Sequence, residues 1–135
     1  MFSHVYVGVR DFARAHAFYA PLLELLGQPQ RFADAEAGWA AWQPAGGGRP
    51  LFIIGVPFEG EHVAGNGQMT AFLADDRATV DGAHALALAH GGVCEGEPGL
   101  RPHYHPHYYG CYFRDPDGNK LCVACHQPEA GMAAG

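Results

Sequence analysis

The stretch GLRPHYHPHYYGCYFRDPDGNKLCVACH, residues 99–126, contains the most informative pattern in the chain. Histidines alternate at its start, and an extended segment over residues 109–114 follows them. Asp-Pro-Asp-Gly at 115–118 is strong turn chemistry, and residues 119–126 have the composition of a last strand. The stretch therefore predicts two strands joined by a tight turn.

The N-terminal half predicts one helix among four short strands. Residues 2–9 alternate as a strand does, and Asp11 is a good N-cap for a helix that Gly27 ends. Pro21 removes a backbone donor inside this helix, so a kink or restart is expected there. Further extended segments are predicted over residues 31–34, 38–42 and 51–56.

The C-terminal half repeats this order about 65 residues later. A strand is predicted over 68–74, a cap at Asp75 or Asp76, and a helix over 79–90. Strands over 93–95, 109–114 and 119–126 complete the pattern. Such a period indicates duplication of one supersecondary unit that cannot bury its sheet alone.

Composition excludes several classes of function. The formal net charge of −6, with only eight scattered Lys and Arg, argues against a nucleic-acid partner. No signal peptide and no apolar run long enough for a membrane span is visible, so we expect a cytoplasmic protein without a membrane partner. Its four cysteines are then expected to be reduced: Cys94, Cys111, Cys122 and Cys125.

Two segments carry a family resemblance: HVYVGVRDFARAHAFYAPLLELLG at 4–27 and YYGCYFRDPDGNKLCVACH at 108–126. Together they resemble the vicinal oxygen chelate superfamily, which includes glyoxalase I, extradiol dioxygenases, fosfomycin-resistance enzymes and bleomycin-binding proteins. The run PGLRPHYHPHYYG at 98–110 resembles a glyoxalase-like subgroup of this family.

The resemblance implies an α+β fold in which two βαβββ modules form a curved mixed-sheet cup. A single domain over residues 1–130 would contain modules at about 1–58 and 66–127, with a flexible tail at 131–135. The resemblance also implies a small-molecule ligand and a homodimer.

A divalent metal in the cup is the family's usual cofactor, and its ligands come from the first and last strands of the modules. Matched residue by residue, these positions hold His4, Met69 and Cys122, and the first module's last strand offers no ligand. Zn, Ni or Fe is the metal that the resemblance allows. However, a His/Met/Cys set is soft and suits Cu(I), Zn²⁺ or no metal better than the usual hard cation.

The remaining candidates for a ligand pocket lie on strands and on the His-rich segment. His4 and Tyr6 share a strand face opposite the valines and are expected to face the cup. The residues His103, His105 and His107 either form a metal set or belong to a rigid aromatic loop at the pocket mouth, and we favour the loop. Tyr109 is expected either to line the pocket or to pack in the core.

The ending Cys122-Val-Ala-Cys125-His126 matches the spacing of a c-type haem motif. On a strand the two cysteines face opposite sides, so we expect no haem, and no nucleotide cofactor is indicated either. Cys122 and His126 share the cup face, and a nucleophile–base pair is a further alternative that lacks a supporting third group.

Two functions follow from these observations. The first is a glyoxalase-like lyase, isomerase or dioxygenase-type enzyme with a degenerate metal site, for which we identify no catalytic residue. The alternative is a metal-free protein that binds and sequesters a small molecule, as antibiotic-binding members of the family do.

Overall fold

One order of elements, strand–helix–strand–strand–strand, occurs twice along the chain. The computed structural model describes residues 1–129. The elements are β1 (His4–Gly8), α1 (Phe12–Leu25), β2 (Gln30–Asp34), β3 (Trp39–Trp42), β4 (Leu51–Gly55), β5 (Thr70–Leu73), α2 (Arg77–Ala89), β6 (Val93–Leu100), β7 (Tyr109–Arg114) and β8 (Lys120–Cys125). The α+β class with two βαβββ units is confirmed. The tail predicted at 131–135 lies outside the described residues.

Each unit forms its own four-stranded mixed sheet, and the two sheets have the same topology. The strand orders are β1-β4-β3-β2 and β5-β8-β7-β6. In each sheet the first and last strands of the unit pair in parallel, and the other pairs are antiparallel. This equivalence explains why the sequence pattern repeats although residue identities do not.

Both helices begin at the predicted aspartates. The side chain of Asp11 accepts from the backbone N–H of Arg14, and that of Asp76 accepts from the N–H of Thr79. Pro21 lies inside α1, yet the helix is continuous, so the predicted restart is wrong. Neither helix in the described part of the chain is long and apolar enough to cross a membrane.

A shared apolar core joins the two units. The residues of α1 that it buries are Ala15, Phe18, Tyr19, Leu22 and Leu23, and those of α2 are Val80, Ala83 and Ala87. The helices pack against each other and against the inner sheet faces, where Phe52 of the first unit meets Phe72 of the second, edge to face. Burial on both sides of Pro21 outweighs the single helix hydrogen bond that proline removes.

Strand ends fall within two residues of the predictions except at β6. That strand runs from Val93 to Leu100 instead of ending at Glu95. Its pairing with β7 shifts register between Cys94 and Gly96 and again between Gly96 and Gly99. These irregularities, together with Pro98, remove the alternation on which sequence-based assignment depends.

The Asp-Pro-Asp-Gly-Asn turn holds the second unit to the first. The Asp115 carboxylate accepts from the backbone N–H groups of Asp117 and Asn119 at 2.9 Å, and from the Tyr19 hydroxyl on α1 at 2.5 Å. The Asn119 amide donates to the carbonyl of Gly8 on β1 at 2.8 Å. The turn therefore brings the start of β8 beside the end of β1.

Candidate functional site

A cavity of about 670 Å³ lies between β1 and the start of β8. The segment that connects the units, residues 57–69, forms one side of it. The volume lies in the range of pockets that hold small organic molecules. Side chains from both units and from the connecting segment line this space, which we call the inter-module cavity.

One wall of the inter-module cavity is aromatic. The rings of Tyr6 and Phe58 stack with centroids 5.5 Å apart, and the Tyr6 hydroxyl donates to the carbonyl of Val56 at 2.7 Å. Gly55 makes this position available, because a Cβ there would lie 2.1 Å from the Tyr6 oxygen. Burial raises the pKa of Tyr6, so its hydroxyl remains a donor.

His62 closes another wall and leaves one of its nitrogens without a partner. The side chain is 9% exposed and packs over Gly8, where a Cβ would lie 2.7 Å from Nδ1. Its Nε2 is buried and has no hydrogen-bond partner among the described residues. A buried unpaired polar group is costly, so this nitrogen is a candidate contact for a ligand.

Lys120 brings positive charge to the cavity. It is half-buried, lines the space, and places its Nζ 5.7 Å from the ring centroid of Tyr112. Arg101 lies over the same ring at 5.6 Å. Within residues 1–129 Lys120 makes no ion pair, because the neighbouring Glu95 is bonded to Arg114 instead.

Cys122 lies next to a pair of tyrosine hydroxyls. The Tyr108 oxygen is 3.6 Å from Cys122 Sγ and 3.1 Å from the Tyr112 oxygen. Cys122 is fully buried, and this burial raises the pKa of its thiol. Burial also raises the pKa of Tyr108, so the cluster consists of protonated groups that can donate hydrogen bonds.

Lys120 and Cys122 share a face of β8, but only Lys120 lines the inter-module cavity, so the predicted place of Cys122 in the cup stays a prediction. The Tyr108 ring lies 5.1 Å from that of His126, so His126 and Cys122 contact the same tyrosine. Cys125 lies on the other face and packs in the core. This geometry is the one expected for a strand rather than for a haem attachment loop.

The three alternating histidines do not converge. His105 accepts from the backbone N–H of His107 at Nδ1 (3.2 Å), and its Nε2 lies 2.8 Å from Nδ1 of His126. His103 packs instead against Tyr104, with ring centroids 4.2 Å apart. The segment is thus an aromatic loop beside Cys122 rather than a metal set. Its histidines do not line the inter-module cavity, so the predicted place of the loop at the pocket mouth stays a prediction.

Two further predicted residues lie away from the cavity. His4 is exposed, its Nδ1 is 2.9 Å from the Ser3 hydroxyl, and it does not line the inter-module cavity. Tyr109 points to the helix side, where its hydroxyl donates to Asp81 at 2.6 Å and Arg77 covers its ring. Tyr109 is therefore left out of the pocket that we propose.

The residues at the family's metal positions do not fit a metal ion. His4 is paired with Ser3, Met69 offers only a thioether, and the Cys122 thiol is buried against Tyr108. Across residues 1–129, no three or more His, Cys, Asp or Glu side chains are arranged to hold a metal. Metal ligation needs several converging donors, and a thiol ligand must be deprotonated.

A second cavity of about 560 Å³ lies between the end of α1 and β5. Its lining is mostly apolar and carries no charged side chain, with Leu23, Trp42, Phe52 and Leu73 among its residues. Met69 lines both cavities. Gln28 and Thr70 are the polar side chains of the second cavity, which has fewer groups to orient a ligand than the inter-module cavity, so the latter is the better candidate site.

Sequence reasoning missed Phe58, His62 and Lys120. Phe58 and His62 lie in the connecting segment, which has no periodic pattern, and only the fold brings them against β1. The sequence did draw attention to Lys120, because it is the only lysine in the chain and closely follows the turn that identifies the fold. Its position beside a cavity could not be read from spacing.

Comparison with known proteins gives a consistent result. A family model described as the Glyoxalase/Bleomycin resistance protein/Dioxygenase superfamily matches residues 1–123. A crystal structure of a glyoxalase/bleomycin resistance protein from Albidiferax ferrireducens T118 is 36% identical, with 93% of this chain and 98% of that chain covered and a TM-score of 0.82. No curated protein matches.

More distant structures share the fold alone. A glyoxalase-related enzyme from Fulvimarina pelagi is 17% identical over 99% of this chain and 95% of that chain, with a TM-score of 0.70. A lactoylglutathione lyase from Agrobacterium tumefaciens is 21% identical over 93% of this chain and 92% of that chain, with a TM-score of 0.62.

Proposed function

Since the chain belongs to the Glyoxalase/Bleomycin resistance protein/Dioxygenase superfamily, we propose that it binds a small organic molecule in the inter-module cavity without a metal ion. The observation that carries this proposal is the lining of that cavity. It combines the aromatic pair Tyr6–Phe58 with two polar groups of the described residues: His62 Nε2, which has no hydrogen-bond partner, and Lys120, which makes no ion pair. Aromatic side chains combined with oriented polar groups are typical of ligand pockets.

Metal independence follows from the chemistry of the donors. The position where a carboxylate would be a hard ligand holds Cys122, whose raised thiol pKa keeps it protonated at neutral pH. Tyr108 already contacts that sulfur. Recognition by ring stacking and hydrogen bonding needs none of these groups to change its protonation state.

A methyl-labelled methionine experiment tests this proposal. The chain has three methionines, and Met69 lines both cavities, so its ¹³C-methyl resonance, assigned with Met69→Leu, reports on occupancy of either one. Phe58 lines the inter-module cavity only, so a Phe58 variant tells the two apart. Screening small aromatic compounds in the presence of a chelator should give ligands that shift this resonance. Phe58→Ala should weaken their binding about fivefold to tenfold through lost stacking, whereas Trp39→Ala, outside the cavity lining, should not. A screen without any shift at Met69 would refute the proposal.

A catalytic role is the second candidate, and the cluster of Tyr108, Tyr112 and Cys122 favours it. Protonated hydroxyls can act as general acids toward a carbonyl substrate. A lyase or isomerase of the lactoylglutathione lyase type would then use these donors instead of metal. Formation of lactoylglutathione is measured with and without added Zn²⁺, Ni²⁺ or Fe²⁺. Activity that is present in either condition and that Tyr108→Phe abolishes would establish this role.

We also propose that the protein is a homodimer, as members of the family often are. Large apolar side chains remain exposed on the single chain, including Met69 at 47%, Leu73 at 69% and Leu100 at 48%. Exposed apolar surface of this kind is typical of association sites. Sedimentation equilibrium should give twice the chain mass of 14.4 kDa, and a monomer at all concentrations would contradict the dimer.

A further inference from the structure

We propose that the ligand of the inter-module cavity is a planar monoanion: an aromatic or conjugated ring that carries one carboxylate-like group. This inference rests on the proposed function and adds the chemical class of the ligand. Three features of the cavity support it, namely one unpaired cation, one unpaired imidazole nitrogen and one stacked aromatic wall.

The cation is Lys120. Its ammonium has no ion-pair partner among residues 1–129, although the chain carries a formal net charge of −6. Of the nearby carboxylates, Glu95 is paired with Arg114, and Asp117 with Arg10 and Arg14. Glu61, which lines the cavity, makes no ion pair among the described residues. The Tyr112 ring is the group that faces the ammonium, and a cation–π contact satisfies its charge only in part. An anion in the cavity would neutralise the rest of the ammonium charge.

The imidazole nitrogen is Nε2 of His62. It belongs to a side chain that is nine-tenths buried on the cavity wall, and it has no hydrogen-bond partner within the described residues. The ring cannot move toward β1, because Nδ1 already packs on Gly8. A small rotation of the ring toward the cavity would let an N–H donate to a ligand oxygen. A carboxylate oxygen suits this contact because charge-assisted hydrogen bonds are the stronger ones.

The aromatic wall and one acidic side chain restrict the rest of the ligand. Phe58 is 89% exposed and stacks on Tyr6, so it presents a flat apolar face that a planar ring can cover. Glu61 also lines the cavity and is exposed. A second negative charge on the ligand would meet this carboxylate, so one anionic group is favoured over two.

Benzoate and benzamide are the probes that test the inference, because they share shape and differ in charge. Calorimetric titration of the whole chain in chelated buffer should show benzoate binding at least about tenfold more tightly than benzamide. Lys120→Met should remove this preference by weakening benzoate alone. The control Arg31→Met makes the same change in net charge on β2 and should leave both affinities unaltered.

His62→Phe provides a second, independent readout. It keeps a flat ring over Gly8 and removes the unpaired nitrogen, so the ligand-free protein should melt at a higher temperature. Its affinity for benzoate should fall several-fold. An unchanged melting temperature together with unchanged benzoate affinity would overturn the role of His62.

The outcomes separate this inference from the proposed function. Equal affinity for the two probes, a benzoate preference that survives Lys120→Met, or no binding of either probe would each overturn the inference. If other compounds still shift the Met69 methyl resonance, the proposed function survives that result. If no compound does, the proposed function fails as well.

Discussion

At the scale of single residues, a few side chains explain both the fold and the altered site. Asp115 accepts hydrogen bonds from two backbone groups of its own turn and from Tyr19 on α1. Tyr19 is fully buried, and burial, followed by the charge of Asp115, raises its pKa well above the usual value. This contact links a local turn to the core of the other unit, so a motif recognised in the sequence also has a tertiary role.

Tyr19→Phe should lower the free energy of unfolding by about 1–2 kcal/mol, because it removes a buried hydrogen bond to a charged acceptor and keeps the ring. Chemical denaturation measures this loss. Tyr104→Phe, at a side chain that is 60% exposed, is the matched control and should be neutral. Equal stability of the two variants would show that the Tyr19–Asp115 contact contributes little.

The sequence predicted the residues of the site unevenly. Cys122 was predicted to line the pocket and does not line the inter-module cavity, whereas Tyr6 was recognisable because strand alternation defines which side chains share a face. His62 and Phe58 were not, because their positions depend on how a non-periodic connection folds back on β1. The strand pattern also predicted that His4 faces the cup, but His4 does not line the cavity.

At the scale of elements, local sequence signals predicted the ends of helices well and the ends of irregular strands poorly. Both N-cap aspartates and Gly27, with φ +74°, lie where they were predicted. The length of strand β6 was underestimated because two register shifts break the alternation of its side chains. A kink or restart of α1 was predicted at Pro21, and the helix is continuous through it, so the restart does not occur.

Pro21→Ala should raise the free energy of unfolding by about 1–2 kcal/mol. The exchange restores a helix hydrogen-bond donor that Pro21 lacks, and this stabilises the folded state by up to about 3 kcal/mol. The unfolded chain becomes more flexible without proline, which offsets up to about 1 kcal/mol of that gain. Thermal unfolding measures the gain. The loop variant Pro44→Ala isolates the unfolded-state effect and should be slightly destabilising, so a loss in both variants would contradict this account.

At the scale of the whole molecule, duplication of one unit produces a cavity that neither unit contains alone. Residues of β1 and of the start of β8 face each other across it because the 115–119 turn docks on the first unit. Membership of the superfamily accounts for the arrangement of the two four-stranded sheets. Among residues 1–129 no set of donors converges to hold a metal, and His62 Nε2 is left as an available polar contact.

Stability should fall steeply as pH rises above about 10. Hydrogen bonding to Asp81 raises the pKa of Tyr109 to about 12, burial raises that of Cys111 to about 12, and burial also raises the pKa of Tyr19. The unfolded chain releases these protons near the ordinary values of about 10 for Tyr and about 8.5 for Cys, whereas the folded protein retains them. Folding is therefore favoured below these ordinary values, and this contribution is lost as pH rises through the folded ones.

Melting temperatures from pH 8 to 12, together with tyrosinate absorbance, measure this effect. At pH 11 the folded protein should show less tyrosinate than the chain in denaturant. A flat stability profile with equal absorbance in both states would contradict the hydrogen-bonded and buried environments described for these tyrosines.

The central claim is binding in the inter-module cavity without a metal, and one calorimetric comparison tests it most directly. The affinity for the best ligand of the Met69 screen is measured for chelator-treated protein and again after incubation with Zn²⁺, Ni²⁺ or Fe²⁺. We predict the same Kd in every case, with the metal content of the purified protein well below one ion per chain. Binding that appears only with a stoichiometric metal, and that is lost in His4→Ala, would contradict the account.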